Sequence, residues 1–79
     1  MSPPVRRIGP YRFFFNSREE NRQHVHIATA DGNAKFWLEP TIALASRHNL
    51  SQKELRAIDQ LVREHENEFK DVWDEHFSQ

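Results

Sequence analysis

The segment QHVHIATADGNAKFWL, from Gln23 to Leu38, alternates polar and apolar residues on both sides of Asp31-Gly32. This alternation is typical of half-buried strands, and Asp-Gly between two such runs is the strongest short-range signal for a β-hairpin. A two-residue turn at Asp31-Gly32 places Ala30 opposite Asn33 and fixes the register. The predicted partners are Ile27 with Phe36 and Val25 with Leu38 on one face, and Ala28 with Lys35, His26 with Trp37 and His24 with Glu39 on the other. The hairpin therefore predicts one apolar face and one face that carries both histidines.

The residues before the hairpin are predicted to contribute one further strand. Pro3-Pro4 and Gly9-Pro10 indicate an extended lead-in over residues 1–10. Tyr11 to Phe15 form a short aromatic run, and aromatic residues favour strands. Residues 16–22 are polar and rich in turn-forming side chains, so we expect a connecting loop there.

The residues after the hairpin are predicted to be helical. Pro40 suits the first turn of a short helix over Thr41 to Ser46. Ser51 followed three residues later by Glu54 is a capping box, which predicts the start of a long helix from Gln52 to His76. The apolar stripe of that helix consists of Leu55, Ile58, Val62, His65, Phe69, Val72 or Trp73, and Phe77. Its spacings of three and four residues would let it cover the apolar face of the hairpin.

These elements predict a single domain over residues 1–79 with an α+β fold. A three-stranded antiparallel sheet over residues 11–39 would have one face covered by a short helix and a long C-terminal helix within residues 40–77, in the order β-β-β-α-α. The chain contains no Cys, which excludes disulfides and thiolate metal sites. It also has no apolar run long enough to span a membrane. We therefore expect a cytoplasmic protein without membrane contact and without a cofactor.

The histidines at positions 24 and 26 are the most informative candidates for chemistry. Residues i and i+2 of a strand point to the same face, with Cα atoms about 7 Å apart. Two imidazoles at this spacing can act as acid and base, can share a metal ion, or can be purely structural. A metal site needs a third ligand, for which Glu39 is the local candidate, while His65 belongs to a stripe on the other side of the sheet. We therefore place proton transfer by His24 and His26 ahead of metal binding.

Cationic and aromatic side chains are predicted beside the histidines. Lys35 and Trp37 share their face, and Arg12 joins them if the first strand pairs in the matching phase. Cations for phosphate, imidazoles for proton transfer and a ring for stacking a base are what a surface acting on RNA requires. The alternative is that Trp37 packs beneath the N-terminal segment and that Lys35 is ordinary solvated surface. We predict Arg12, Lys35 and Trp37 as substrate-binding residues.

Five segments of the chain match a pattern found in one protein family. They are Arg7 to Phe15, His24 to Ile27, Ala34 to Pro40, Glu64-His65 and Phe69 to Trp73. Together they resemble the small bacterial family known as domain of unknown function 4160, over nearly the whole chain. By position, the motif residues of that family are here Gly9, Tyr11, His24, His26, Lys35, Trp37 and Trp73.

The resemblance implies that the protein works as one member of a pair. Genes of this family typically lie beside genes of another small family, domain of unknown function 2442, in arrangements similar to toxin–antitoxin modules. It implies a bacterial protein with a small protein partner, and our leading hypothesis is that the chain is the toxin and the partner is antitoxin-like. We expect this toxin to act on RNA in the manner of a ribonuclease, through His24 and His26, with Glu39 and Tyr11 as supporting residues. The alternatives are a non-enzymatic antitoxin or regulatory protein-binding module, and a metal-dependent hydrolase using His24, His26 and Glu39. Association with a second copy of the chain also stays open.

Overall fold

The computed structural model describes residues 4–15 and 22–77 as an antiparallel sheet with two helices packed on one face. The strands are β1 Pro4–Ile8, β2 Tyr11–Phe14, β3 His24–Ala28, β4 Asn33–Trp37 and β5 Ala43–His48, and the helices are α1 Gln52–Glu64 and α2 Glu66–Phe77. Each strand pairs with its neighbours in sequence, so the sheet is a meander. The predicted lead-in residues 1–3 and loop residues 16–21 lie outside the described residues.

The predicted α+β class is confirmed, whereas the predicted three-stranded sheet is wrong because the described residues form five strands. The first additional strand, β1, occupies the predicted lead-in. It pairs with β2 through a tight turn at Gly9-Pro10, which places Arg7 opposite Arg12. Gly9 has a φ of +56°, a left-handed conformation that glycine adopts without steric cost. Pro4 is the first residue of this edge strand, where proline is tolerated.

The second additional strand, β5, replaces the short helix predicted over Thr41 to Ser46, and that prediction is wrong. Ala and Leu favour helices in isolation. Here the segment from Ala43 to His48 instead pairs with β4, whose backbone groups would otherwise form the edge of the sheet. All six side chains of β5 are exposed, so the helices leave this strand uncovered.

The hairpin of β3 and β4 turns one residue earlier than the sequence predicts. The N–H of Thr29 donates to the carbonyl of Gly32 at 2.9 Å, so the central residues of the turn are Ala30 and Asp31. The Thr29 hydroxyl accepts hydrogen bonds from the N–H groups of Asp31 (3.2 Å) and Gly32 (2.9 Å). A Thr side chain that bonds the backbone ahead of it stabilises the turn in this position.

The earlier turn changes the cross-strand partners of both histidines. His24 lies opposite Trp37, and His26 lies opposite Lys35. The predicted partners, Glu39 for His24 and Trp37 for His26, are therefore wrong, and the other predicted pairs are displaced in the same way, by two residues. Side chains alternate along a strand, so a displacement of two leaves each one on its original face. The predicted apolar face is accordingly confirmed and is buried in the core.

The helical layer begins where the sequence predicts and is interrupted once. The Ser51 hydroxyl accepts from the N–H of Glu54 (3.1 Å), and the Glu54 carboxylate accepts from the N–H of Ser51 (2.9 Å), which completes the capping box. The single helix predicted up to His76 is wrong, because His65, with a φ of −109°, separates α1 from α2. The apolar stripe nevertheless continues through both helices, and its buried members are Leu55, Ile58, Val62, Phe69 and Trp73. Neither of the described helices combines the length and apolar character needed to cross a membrane.

Candidate functional site

The register sorts the strand residues into two sets, because cross-strand partners share a face of the sheet. The set that faces the helices includes the buried residues Phe13, Val25, Ile27, Ala34 and Phe36. We call the opposite side the helix-free face. It has three rows: Arg7, Arg12, Ala28, Asn33 and His48; then Phe14, His26, Lys35 and Ser46; then His24, Trp37 and Ala43. The register therefore brings together all the predicted catalytic and substrate-binding residues.

His24 belongs to this face by register but is fully buried. It is the first residue of β3, at the end of the sheet, and there the Trp73 ring of α2 lies 5.0 Å from it between centroids. The rings of His26 (5.1 Å) and Trp37 (5.8 Å) pack against it at steep angles. Its Nδ1 lies 2.7 Å from the carbonyl oxygen of Arg22, and because a carbonyl oxygen only accepts, Nδ1 donates this bond. His24 is thus held in the core, out of contact with solvent.

His26 is the histidine of the pair that solvent reaches. Its ring is half-buried and stacks on Phe14 of β2, with 5.4 Å between centroids and 20° between planes. The His24 ring packs against it edge-on, and Lys35 lies directly opposite on β4. These contacts fix the orientation of an imidazole that can still exchange protons with a bound molecule. The two histidines therefore differ in environment, since His26 is accessible to a bound molecule and His24 is enclosed in the core.

Trp37 carries two cations on its ring. The Arg22 Cζ lies 4.1 Å and the Lys35 Nζ 4.5 Å from the ring centroid, within the range of cation–π attraction. The Arg22 Nε also donates to the carbonyl oxygen of Glu39 at 2.8 Å, which holds the guanidinium in place. A base that reaches this end of the sheet therefore meets a guanidinium as well as the indole. Both groups stack on bases in RNA complexes.

The two predicted supporting residues have structural contacts. Glu39 follows β4, and its Oε2 accepts a hydrogen bond from the N–H of Gln23 at 3.0 Å. Tyr11 shares its side of β2 with Phe13, so it packs half-buried against the core on the helix side of the sheet. Within residues 4–15 and 22–77, no group of three His, Cys, Asp or Glu side chains could hold a metal ion.

The two layers of the fold carry opposite charge. The five described strands contain no Asp or Glu, and their cationic residues are Arg6, Arg7, Arg12, Lys35 and Arg47. The helices contain the carboxylates Glu54, Asp59, Glu64, Glu66, Glu68, Asp71, Asp74 and Glu75, against the cations Lys53, Arg56, Arg63 and Lys70. The Arg6 guanidinium bridges the layers at 2.9 Å from Glu68, whereas Arg7, Arg12 and Lys35 belong to the helix-free face. Cations on strands that carry no carboxylate in the described residues attract polyanions.

Three residues of this region escape prediction from the sequence. Arg7 falls in the predicted lead-in, although Gly9-Pro10 between two β-prone segments is a turn signal that would have paired it with Arg12. Phe14 meets His26 because of the register between β2 and β3, which the connecting loop does not reveal. Arg22 has no sequence signal, because its position depends on the carbonyl of Glu39.

The fold and this site define a small α+β protein with a cationic and aromatic sheet face. The chain belongs to the family described as a domain of unknown function (DUF4160), whose model matches residues 11–74, so the resemblance noted in the sequence is confirmed. No curated protein and no solved structure matches the chain significantly. The matched range runs from β2 into α2 and contains His24 and His26, while Arg7 precedes it.

Proposed function

We propose that this chain is the toxin component of a bacterial two-gene module and that it acts on RNA through the helix-free face. The observation that carries the RNA proposal is that this face has three strand cations, Arg7, Arg12 and Lys35, and no carboxylate among the strand residues that the structure describes. Lys and Arg bind phosphate backbones, and single-stranded RNA also stacks on aromatic planes. Phe14, His26 and Trp37 supply such rings on the same face. The toxin assignment itself rests on the gene arrangement that the family resemblance implies.

Each residue of the face has a role in this proposal. Arg12 and Lys35 contact phosphates, and Trp37, with Arg22 packed on it, stacks a base. His26 takes the proton of a ribose 2′-hydroxyl, since its ring is partly exposed and held by stacking. The 2′-oxygen then bonds to the adjacent phosphorus, the bond from phosphorus to the 5′-oxygen breaks, and the protonated His26 gives its proton back to the leaving 5′-oxygen. Lys35 directly opposite stabilises the phosphate charge. His24 is a positioning residue, because its buried ring packs against His26 and is out of reach of solvent.

RNA binding by the full chain tests the first part of the proposal. We expect a short, labelled single-stranded RNA to bind in fluorescence anisotropy, more weakly as salt rises. Lys35→Gln and Trp37→Leu should both weaken binding. Arg47→Gln is the matched control, because it removes one charge from the same sheet but Arg47 pairs with the buried Ala34 on the other face. Equal losses for Lys35→Gln and Arg47→Gln, or no binding at all, would contradict the proposed surface.

Inducible expression in bacteria tests the toxin assignment. We expect growth arrest that the neighbouring small gene relieves and that His26→Ala abolishes. His24→Phe keeps a ring in the buried site and removes both nitrogens, so a folded His24→Phe variant that still arrests growth supports a positioning role. Loss of growth arrest in that folded variant would instead indicate that His24 takes part in proton transfer. The absence of any growth defect with the native chain counts against a toxin.

The acidic helical layer favours a second candidate, an antitoxin or regulatory module that binds a protein. Exposed carboxylates such as Glu64 and Asp71 would attract a basic partner surface. Copurification with the product of the neighbouring gene, without RNA binding and without growth arrest, is the result that would favour this candidate over the toxin.

A further inference from the structure

Two arginines lie directly opposite each other on the helix-free face. The pairing of β1 with β2 places Arg7 opposite Arg12, and both side chains are exposed. Like charges in a directly opposed cross-strand pair are destabilising. In the described part of the chain neither guanidinium has a carboxylate partner, in contrast to the neighbouring Arg6, which pairs with Glu68. The pairing of β1 with β2 therefore holds two positive charges next to each other on the helix-free face.

A surface cavity of about 400 Å³ lies against this pair. Its lining consists of Arg7, Pro10, Arg12, Ala28, Thr29 and Ala30. The short side chains of Ala28 and Ala30 leave room beside the guanidinium groups, and no described carboxylate contributes to the lining. The Arg12 guanidinium lies over the Phe14 ring, with its Cζ 5.3 Å from the centroid, which restricts its orientation. The cavity thus offers space, positive charge and N–H donors to an anion.

We propose that Arg7 and Arg12 together bind one phosphate group, which under the proposed function is a phosphodiester of the RNA strand. The inference rests on that function for the source of the phosphate, and on the arginine pair and its cavity for the site. Each guanidinium presents a planar fork of N–H donors that matches two phosphate oxygens. A bound phosphate also removes the repulsion between the two arginines.

The position of this site determines where a strand lies on the face. Arg12 is opposite Ala28. His26 lies two residues before Ala28 on β3, and the Cα atoms of these two residues are about 7 Å apart. Trp37 belongs to the next row in the same direction, opposite His24. A phosphate held by the arginine pair would therefore direct the strand across His26 towards Trp37. The arginine pair that anchors the phosphate, the proton-transfer residue His26 and the stacking ring of Trp37 thus lie in consecutive rows of the face.

Salt-dependent RNA binding by single variants tests the site. We expect Arg7→Gln and Arg12→Gln each to weaken the binding of single-stranded RNA by about tenfold. Each should also reduce the slope of log affinity against log salt by up to about 0.7, the value for one phosphate contact on a single strand. Arg47→Gln is again the control and should change neither quantity. If Arg7→Gln and Arg12→Gln bind like the native chain while Lys35→Gln binds more weakly, the phosphate site is refuted and the RNA-binding face stands.

Inorganic phosphate provides a measurement that does not depend on RNA. We expect phosphate, compared with chloride at equal ionic strength, to raise the Tm of the native chain and of Arg47→Gln but not of Arg7→Gln or Arg12→Gln. If the native chain binds no RNA but this pattern holds, the proposed function fails and the phosphate site survives. If phosphate stabilises all four proteins equally, or none of them, the arginine pair is not a phosphate site.

Discussion

His24 and His26 are separated by one residue on the same strand, yet their environments differ completely. The His24 ring is fully buried among aromatic rings, whereas His26 is half-buried on Phe14. We expect His24→Ala to lower the free energy of unfolding by about 3 kcal/mol, the usual cost of a cavity left by a large core side chain. His26→Ala should cost about 1 kcal/mol, the scale of one lost aromatic contact. Urea denaturation measures both, and equal costs would contradict the buried position of His24.

Gly32 is required for a reason that the sequence does not show. A Cβ atom at this position would lie 2.4 Å from the backbone carbonyl oxygens of His48, the last residue of β5, and of Asn49, which follows it. We expect Gly32→Ala to lower the free energy of unfolding by about 2–3 kcal/mol, because backbone has to move. Gly9→Ala is the comparison, since Gly9 has open space but a φ of +56°, and only the left-handed strain of about 1 kcal/mol applies. Chemical denaturation measures the free energy of unfolding of both variants. A smaller loss for Gly32→Ala than for Gly9→Ala would contradict the close approach of the His48 and Asn49 carbonyl groups to Gly32.

Among the elements, α1 has the start that is easiest to predict. The capping box involves only Ser51 and Glu54, so the sequence contains all the information needed. We expect Ser51→Ala to lower the free energy of unfolding by about 1 kcal/mol, because an N–H of the first turn loses its acceptor. Ser46→Ala, in the exposed strand β5, is the control and should have little effect. Thermal or urea denaturation of the three proteins checks this, and equal values would show that the cap does not stabilise α1.

The elements that the sequence predicts wrongly are those whose conformation depends on distant partners. The segment after Pro40 has helix-favouring residues and becomes β5 only because β4 is available for pairing. The hairpin itself is predicted correctly from local alternation, but its register depends on the Thr29 hydroxyl. In the same way, alternation places His26 and Lys35 on one face, while the burial of His24 depends on Trp73, which is far away in the chain.

At the scale of the whole molecule, Glu68 connects the two layers. Burial raises the pKa of this carboxyl group, but hydrogen bonds from His65 and Arg6 and their positive charges outweigh it, so the pKa lies below its usual value of 4.5. A lowered carboxyl pKa contributes stability that is complete above the usual pKa and is lost as the pH falls through the lowered value.

The expected consequence is a pH-dependent difference between the native chain and Glu68→Gln. The native chain should have the higher free energy of unfolding at neutral pH, and the difference should shrink as the pH falls below about 4.5. Asp71→Asn is the control, because Asp71 is exposed on the same helix. Denaturation at a series of pH values checks this, and a difference that persists unchanged in acid would contradict the role of the Glu68 charge.

The separation of charge between the layers makes the effect of the helical carboxylates on RNA binding depend on salt. Packed layers lie about 10 Å apart, whereas the screening length is about 8 Å at 0.15 M salt and about 30 Å at 0.01 M. A Glu64→Gln, Asp71→Asn double variant, in which both changes are exposed on the helices, should therefore bind RNA like the native chain at 0.15 M and more tightly at 0.01 M. Arg12→Gln should weaken binding at both concentrations. A helix variant that instead changes the affinity at 0.15 M as much as Arg12→Gln does would show that RNA contacts the helical layer. That result would contradict the helix-free face as the binding surface.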